Sequence, residues 1–333
     1  MIDVNDYKLF TIIIPTYNRS KQLEENLRAA LPQVEKYKDY ARVYVSDNNS
    51  PDDTENVVKR YLAKYPDCLI YFRQEKNIGG TPNFFHAARR VNSKYICLSG
   101  DDDFLSPYYL ETVIPILISD ANYSFVNYNL ITVNYDKSIL GIRDKVSLRK
   151  TYQCGGDFLK EHLIVPSLMT SNIFVRDLFL KESESARDID IPGYDWFYFF
   201  CKSIVDKKGI YIGHPIAYNQ MPNSQPWSKY SALYHIYGLG KTFKLLDKYA
   251  PGVYDIWNKF VYKEHPDTIS YLLNIVNLNR NYYKGEIFGK MRPYIKDESV
   301  LTQFEWALKY SPKMFHFKMN PIHFIINKIR RIF

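Results

Sequence analysis

The sequence predicts an α/β fold: a mainly parallel, twisted sheet with helices on both faces, followed by a mostly helical C-terminal region. Three observations predict it. Short continuous apolar runs alternate with amphipathic helical stretches through roughly the first 130 residues, the pattern of parallel strands buried on both faces. Polar clusters directly follow four of those runs. From about Tyr230 onward the period is helical and rich in Tyr, Leu and Lys.

The elements follow in order. Phe10 to Ile14 is a continuous apolar run, hence a buried strand. Ser20 is placed to cap a helix whose Leu23, Leu27 and Leu31 share one face, with Pro32 as its stop. Arg42 to Ser46 is the second strand, and Pro51-Asp52 opens a helix carrying Val57, Val58, Tyr61 and Leu62. Leu69 to Phe72 is the third strand, and Pro82 starts a helix running to about Val91. Tyr95 to Leu98 is the fourth strand, Pro107 starts a helix ending near Ser119, and Tyr123 to Tyr128 is a further strand. Residues 130–230 are less regular, with Gly155-Gly156, Pro166, a strand at Ile173 to Val175, an aromatic helix from about Gly193 to Val205, and strands near Ile210 and Ile216.

The chain has 333 residues, 46% hydrophobic and 24% charged, enough for one large core plus an appendage. The expected division is an α/β domain at 1–225 and a helical region at 226–333. The 30 tyrosines suit carbohydrate surfaces and membrane interfaces, although compositional bias explains them equally well. A net charge of +8 is compatible with phosphate-bearing partners. No nucleic-acid motif accompanies it, so no nucleic-acid partner is expected. Cys68, Cys97, Cys154 and Cys201 form no CxxC pair, and a reducing cytoplasm fits them best. No apolar run at the N-terminus reads as a secretory leader, and none elsewhere approaches the roughly 18 residues of a membrane span.

In an α/β sheet, ligands bind beyond the carboxyl ends of the strands. The four polar groups lie there: Pro15-Thr16-Tyr17-Asn18-Arg19, Asp47-Asn48-Asn49-Ser50, Asn77-Ile78-Gly79-Gly80 and Gly100-Asp101-Asp102-Asp103. Any one of them is also what an ordinary strand-to-helix turn uses. The triple aspartate stands apart, because three adjacent carboxylates repel one another unless cations or solvent screen them, and a cap needs only one. Oxygen donors of this kind suit Mg²⁺ or Mn²⁺ shared with substrate phosphates. A solvated acidic turn is the plainer alternative.

Ile12 to Arg19, Val45 to Thr54 and Leu98 to Asp103 together resemble the signature blocks of family 2 glycosyltransferases, in matching order and spacing over roughly residues 8–225. The resemblance implies the GT-A fold, a Rossmann-like layered domain, and a nucleotide-sugar donor, UDP being the commonest. It implies that Pro15, Thr16 and Tyr17 line the base and ribose pocket, with Asn18 and Arg19 in the same block. Asp47 would accept from the uracil edge, Asn77 would sit near the base, and Asn83 would face the nucleotide or else lie on the helix surface. Asp101 and Asp103 would be the DxD pair, Asp103 being the direct metal ligand. A register shift of one residue would bring in Asp102.

An inverting transferase must also deprotonate the acceptor hydroxyl as it attacks. Asp195, opening the aromatic helix, resembles the base of the family's ED motif, although Tyr194 replaces the first acid. Complementing the helix N-terminus is its alternative role. Thr170, Ser171, Asn172 and Trp196 are read as acceptor-side residues. Relatives often carry an Arg and a His near the diphosphate, where this chain has Asn219 to Ser224. His214, nearby, reads as structural.

Asn320 to Phe333 places Ile322, Ile325, Ile326, Ile329 and Phe333 at helical spacing beside Lys328, Arg330 and Arg331. That is a basic amphipathic helix suited to an anionic membrane surface, with Phe315, Phe317 and Phe324 as further apolar anchors. Docking on the chain's own core or on another subunit is the alternative. The expected function is therefore an inverting glycosyltransferase, peripheral at the inner face of the cell membrane, extending a lipid-linked glycan in bacterial cell-surface polysaccharide synthesis. The alternatives are a teichoic-acid or protein acceptor and a non-catalytic nucleotide-sugar-binding relative. The Tyr-rich helical region offers a surface for homo-oligomer formation.

Overall fold

The computed structural model describes residues 6–119, 121–185, 189–221 and 228–319. The chain divides into two compact units, Met1–Asp188 with Trp196–Asn223, and Ile189–Asp195 with Ser224–Phe333.

The first unit is built on a ten-stranded sheet. In chain order its elements are β1 (Lys8–Thr16), α1 (Ser20–Lys36), β2 (Ala41–Asp47), α2 (Thr54–Lys64), β3 (Leu69–Arg73), α3 (Gly80–Arg90), β4 (Ser93–Leu98), β5 (Phe104–Leu105) and α4 (Tyr109–Ile118). There follow β6 (Phe125–Val133), β7 (Ile139–Ile142), β8 (Lys150–Tyr152), α5 (Gly155–Glu161), β9 (Asn172–Val175), α6 (Arg176–Ser185), α7 (Asp195–Ile204) and β10 (Gly209–Gln220). The sheet order is β3-β2-β1-β4-β9-β6-β10-β5, with β7 on β6 and β8 on β10.

Strands β1 to β4 are parallel, as their unbroken apolar runs require. One face of β1 packs Phe10, Ile12 and Ile14 against Leu23, Leu27 and Leu31 of α1. On the other side Phe84, Phe85, Phe174, Phe179 and Phe200 form an aromatic layer. The register sets Thr16 opposite Asp47 and Asp47 opposite Arg73, so the polar strand ends line up along one edge.

Four details differ from the sequence reading. β9 runs antiparallel between β4 and β6, so the parallel half gives way to a mixed half. Ser20 is the first residue of α1 rather than its cap, and its N–H donates to Asp52 Oδ2 at 2.8 Å, a carboxylate borrowed from the next loop. Pro32 lies inside α1, which continues to Lys36 because Ala30, Leu31 and Val34 are buried and hold the last turns. Proline removes one helical hydrogen bond, which this packing offsets. The strands near Ile210 and Ile216 are the single β10, whose register slips between Ile212 and Ala217, around Pro215.

The second unit is helical: a π-helical segment at Leu233–Leu239, then α8 (Gly240–Leu246), α9 (Val253–Lys259), α10 (Pro266–Leu278), α11 (Arg280–Tyr283), α12 (Glu286–Met291), α13 (Glu298–Lys309) and α14 (Pro312–Met319). Phe243 stacks on Trp257 at 5.0 Å, and Asn277, fully buried, donates to the carbonyls of Ala307 and Tyr310 at 2.6 and 3.0 Å. Asp297 caps α13 by accepting from the N–H groups of Ser299 and Val300. Phe315 is 3% exposed. It packs inside the chain, which corrects its reading as a membrane anchor. The basic helix expected at Asn320 to Phe333 lies outside the described residues. Among the described residues no helix is long and apolar enough to cross a membrane.

Two glycines distinguish packing from propensity. A Cβ at Gly155 would lie 2.1 Å from the Ile204 carbonyl oxygen, whereas one at Gly289 in α12 meets nothing within 4 Å. Gly155→Ala is expected to destabilise its unit by about 2 kcal/mol or more through overpacking. Gly289→Ala is expected to stabilise by roughly 0.5–1 kcal/mol through helix propensity. Thermal melts of the two variants against the parent check both signs.

Candidate active site

Strand β4 ends at Leu98, and the chain turns through Ser99-Gly100-Asp101-Asp102-Asp103 into β5. A Cβ at Gly100 would lie 3.0 Å from Asp103 Oδ2 and 3.1 Å from Asp102 Oδ1, so glycine leaves room for carboxylates to fold back over the turn. Asn26 of α1 holds the turn from below, its Nδ2 donating to the carbonyls of Gly100 and Asp103, each at 2.8 Å. Asn26 sits three residues from Leu23 on the apolar face of α1, a polar residue at a buried position. That placement was its signal in the sequence, and the reading missed it.

Asp101 and Asp103 are each 6% exposed. Thr16 Oγ1 donates to Asp101 Oδ2 at 2.8 Å, and Arg19 bridges Asp101 Oδ1 and Asp102 Oδ2 with one nitrogen at 2.9 and 2.8 Å. Asp103 Oδ2 accepts from Thr170 Oγ1, whose own oxygen accepts from the Gly100 N–H at 3.0 Å. Asp103 Oδ1 accepts from Asn219 Nδ2 at 2.9 Å and from the Gln220 N–H at 3.2 Å. Burial pushes the Asp101 carboxyl up to about 6, with Arg19 restraining the rise. Burial, and then the neighbouring Asp102 charge, push Asp103 up to about 7.

Asp101 and Asp102 thus share one guanidinium, and Asp103 is held by neutral donors alone among the hydrogen bonds of the described residues. The donor set is all oxygen, partly desolvated and short of positive charge, which fits a hard divalent cation. Asp103 and Asp101 are the residues that would hold it. Among the described residues no group of three or more His, Cys, Asp or Glu is placed to hold a metal ion by itself. Such a cation would therefore draw further ligands from water or substrate.

The neighbouring strand ends form a second layer. Asp47 is fully buried, accepting from the Ser50 N–H at 2.8 Å and the Tyr71 hydroxyl at 2.7 Å. Arg73 ties the same loop through Asn49 Oδ1, the Ser50 carbonyl and Glu55. Asn48 and Asn77 lock two loops together at 3.0 Å. Asn83 is 1% exposed, its amide spent on Ser46 and Gln74, so it lies neither on the helix surface nor against an open pocket. Pro15 is half-buried, while Tyr17 and Asn18 are exposed. Asn18 and Asn49 adopt φ of 56° and 64°, the left-handed conformation that asparagine tolerates best after glycine.

The acceptor-side reading is corrected in its geometry. Thr170 serves Asp103. Ser171 Oγ donates to the Val165 and Leu168 carbonyls, and Asn172 Nδ2 to those of Pro166 and Leu168, both side chains being fully buried. Trp196 is 5% exposed, beside Phe197. Hydrogen bonding inside the turns before β9, and packing inside the aromatic layer, outcompete exposure at these positions. Asp195 is half-buried as the first residue of α7. His214 is exposed. Asn219, where the usual charged residue is missing, is the site residue the sequence reading passed over.

Residues 11–167 match glycosyl transferase family 2. The chain is 34% identical over 114 residues to abequosyltransferase RfbV of Salmonella typhimurium, a match spanning 34% of each chain, so it covers about a third of that relative. It is 27% identical over 272 residues to an uncharacterized glycosyltransferase of Methanocaldococcus jannaschii, covering 79% of this chain and 88% of that one. The fold is similar to S. aureus TarS 1-349 in complex with UDP-GlcNAc, with a TM-score of 0.52, 16% identity, and coverage of 89% and 91%.

The raised carboxyls carry a signed pH dependence. Asp101 holds its proton more tightly folded than unfolded, so its contribution to stability falls as pH rises from about 4 through 6. In EDTA, Asp101→Asn should therefore gain on the parent protein between pH 4.5 and 7.5, by on the order of 2–3 kcal/mol. Paired melting curves at the two pH values check this. A constant gap would show that burial does not penalise the charge.

Proposed function

We propose, from the match of residues 11–167 to glycosyl transferase family 2, that the chain is a glycosyltransferase of that family and moves a sugar from a UDP-sugar to a hydroxyl of a glycan acceptor with inversion. The observation that carries this reading is the buried aspartate turn at the carboxyl ends of the parallel strands, short of positive charge. A nucleoside diphosphate with its cation supplies what such a turn lacks.

Bound by Asp103 and Asp101, Mg²⁺ or Mn²⁺ would supply Lewis-acid stabilisation of the leaving diphosphate. The chain's own residues do the rest. Thr170, Asn219 and the Gln220 N–H fix the orientation of Asp103, and Thr16 and Arg19 that of Asp101. Rigid support of this kind matters because a ligand group must be in place before charge develops. The loops joined by Asn48 and Asn77 frame a wall for the base, and Tyr17, 45% exposed, offers it a ring face. Asp47 has both oxygens engaged, so contact with a uracil edge would require Tyr71 to give way. Asp195 takes the acceptor proton as the hydroxyl attacks the anomeric carbon opposite the diphosphate.

The acceptor proposed is lipid-linked, in bacterial cell-surface polysaccharide synthesis, with the protein peripheral at the inner membrane face. The basic, Ile-rich sequence of the last residues supports this.

Calorimetry of UDP binding with Mn²⁺, with EDTA and with Asp103→Ala tests the donor side. Metal-dependent binding, weakened at least tenfold in the variant, is the expected result. Absence of binding under every condition would rule out a UDP-sugar. A donor screen with UDP-glucose, UDP-galactose and their N-acetyl forms follows, with Asp195→Asn expected to lower turnover by a factor of a hundred or more.

A further inference from the structure

Ile189–Asp195, which leads into α7, belongs with the helical unit, although the rest of α7 belongs with the sheet unit. The contacts made by the loop explain this. Asp190 is held from three sides. The Tyr237 hydroxyl donates to its Oδ2 at 2.9 Å, and the Lys290 ammonium of α12 lies 3.4 Å from the same oxygen. Lys241 of α8 donates to the Asp190 carbonyl at 2.8 Å and to the Tyr237 hydroxyl at 3.1 Å.

Further along the loop, Gly193 has φ of 75°, and a Cβ there would lie 3.0 Å from the Tyr234 ring. A Cβ at Gly238 would lie 2.6 Å from the Pro192 carbonyl oxygen. Tyr194 meets the His235 ring edge-on at 6.2 Å. Tyr234, His235, Tyr237 and Gly238 all come from the π-helical segment Leu233–Leu239. Such widened turns are uncommon and concentrate at functional sites.

The Asp190–Lys290 pair is poorly suited to a purely stabilising role. Asp190 and Lys290 side chains are 54% and 40% exposed, and ion pairs at such exposure add little to stability. What the contacts do is restrict where the loop can go, and the loop ends at Asp195. We infer that Asp190, Tyr237 and Gly238 are positioning residues for Asp195: the helical unit fixes the loop that presents the base. This rests on the reading of Asp195 as general base.

Opposite perturbations test it. Asp190→Asn and Tyr237→Phe release the loop, and Gly238→Ala pushes it from below. Turnover is read as UDP release from the UDP-sugar that the screen selects, with water as acceptor, alongside UDP–Mn²⁺ calorimetry, the pH profile of kcat and melting temperature. The expected result is a tenfold or larger fall in kcat with a displaced acid limb of the pH profile. Donor KM and UDP affinity stay within twofold, and the melting temperature of Asp190→Asn stays within about 2 °C. If Gly238→Ala does not fold, Asp190→Asn and Tyr237→Phe decide alone. Unchanged kcat in the folded variants, with Asp195→Asn inactive, overturns the inference and leaves the base in place. Activity retained by Asp195→Asn sinks the base reading itself. Equal losses in kcat and UDP affinity would also overturn the inference, by showing a general structural effect.

Discussion

The cost of holding carboxylates out of water shapes the end of the sheet. A buried carboxylate holds its proton more tightly than one in water, and the raised carboxyls of Asp101 and Asp103 reflect that cost. The turn can exist only because several elements converge to satisfy it. β1 delivers Thr16 and the start of α1 delivers Arg19. The antiparallel setting of β9 is what delivers Thr170. Ile173 pairs with Cys97, so the start of β9 lies at the end of β4 and the residues before it reach Gly100. β5 pairs with Ala217 and Tyr218 of β10, which brings Asn219 and Gln220 to Asp103. A fully parallel sheet would leave Asp103 without Thr170, so the mixed half of the sheet is part of the site.

The parallel half was legible because burial on both faces writes itself into sequence as unbroken apolar runs. Phe10 to Ile14 and Arg42 to Ser46 needed no further information. The polar groups at their ends were legible for the same reason, since a run that stops abruptly at Asp47 or Gly100 marks a strand end. What stayed hidden was partnership across long separations. Thr170 lies 67 residues from Asp103 and Asn219 lies 116. No local period signals such a contact. Ser20 misled because capping chemistry was sought in the helix's own residue, whereas Asp52 supplies it from 32 residues away. Pro32 misled because a missing N–H is a local penalty, while the burial that outweighs it belongs to the finished core.

The helical region posed a different difficulty. Tyrosine-rich helices have no sharp apolar face, so their packing follows from specific ring and hydroxyl contacts that spacing does not encode. The π-helical segment is an example: an inserted residue shifts which side chains share a face, and a period of 3.6 misplaces them. Phe315 shows the same limit, since an aromatic beside lysines reads equally well as a surface anchor or as core.

The interleaving of the two units also sets an order of events on the ribosome. The chain enters the helical unit at Ile189, leaves it at Trp196 and re-enters at Ser224. Lys290 lies 100 residues beyond Asp190. At roughly 5–20 residues per second, the loop before α7 waits on the order of 5–20 s for that lysine to be made. During that interval the sheet can close while Asp195 is still attached to a segment without its partners. A nascent chain of this kind acquires its polar strand ends first and the partners of the loop before Asp195 last.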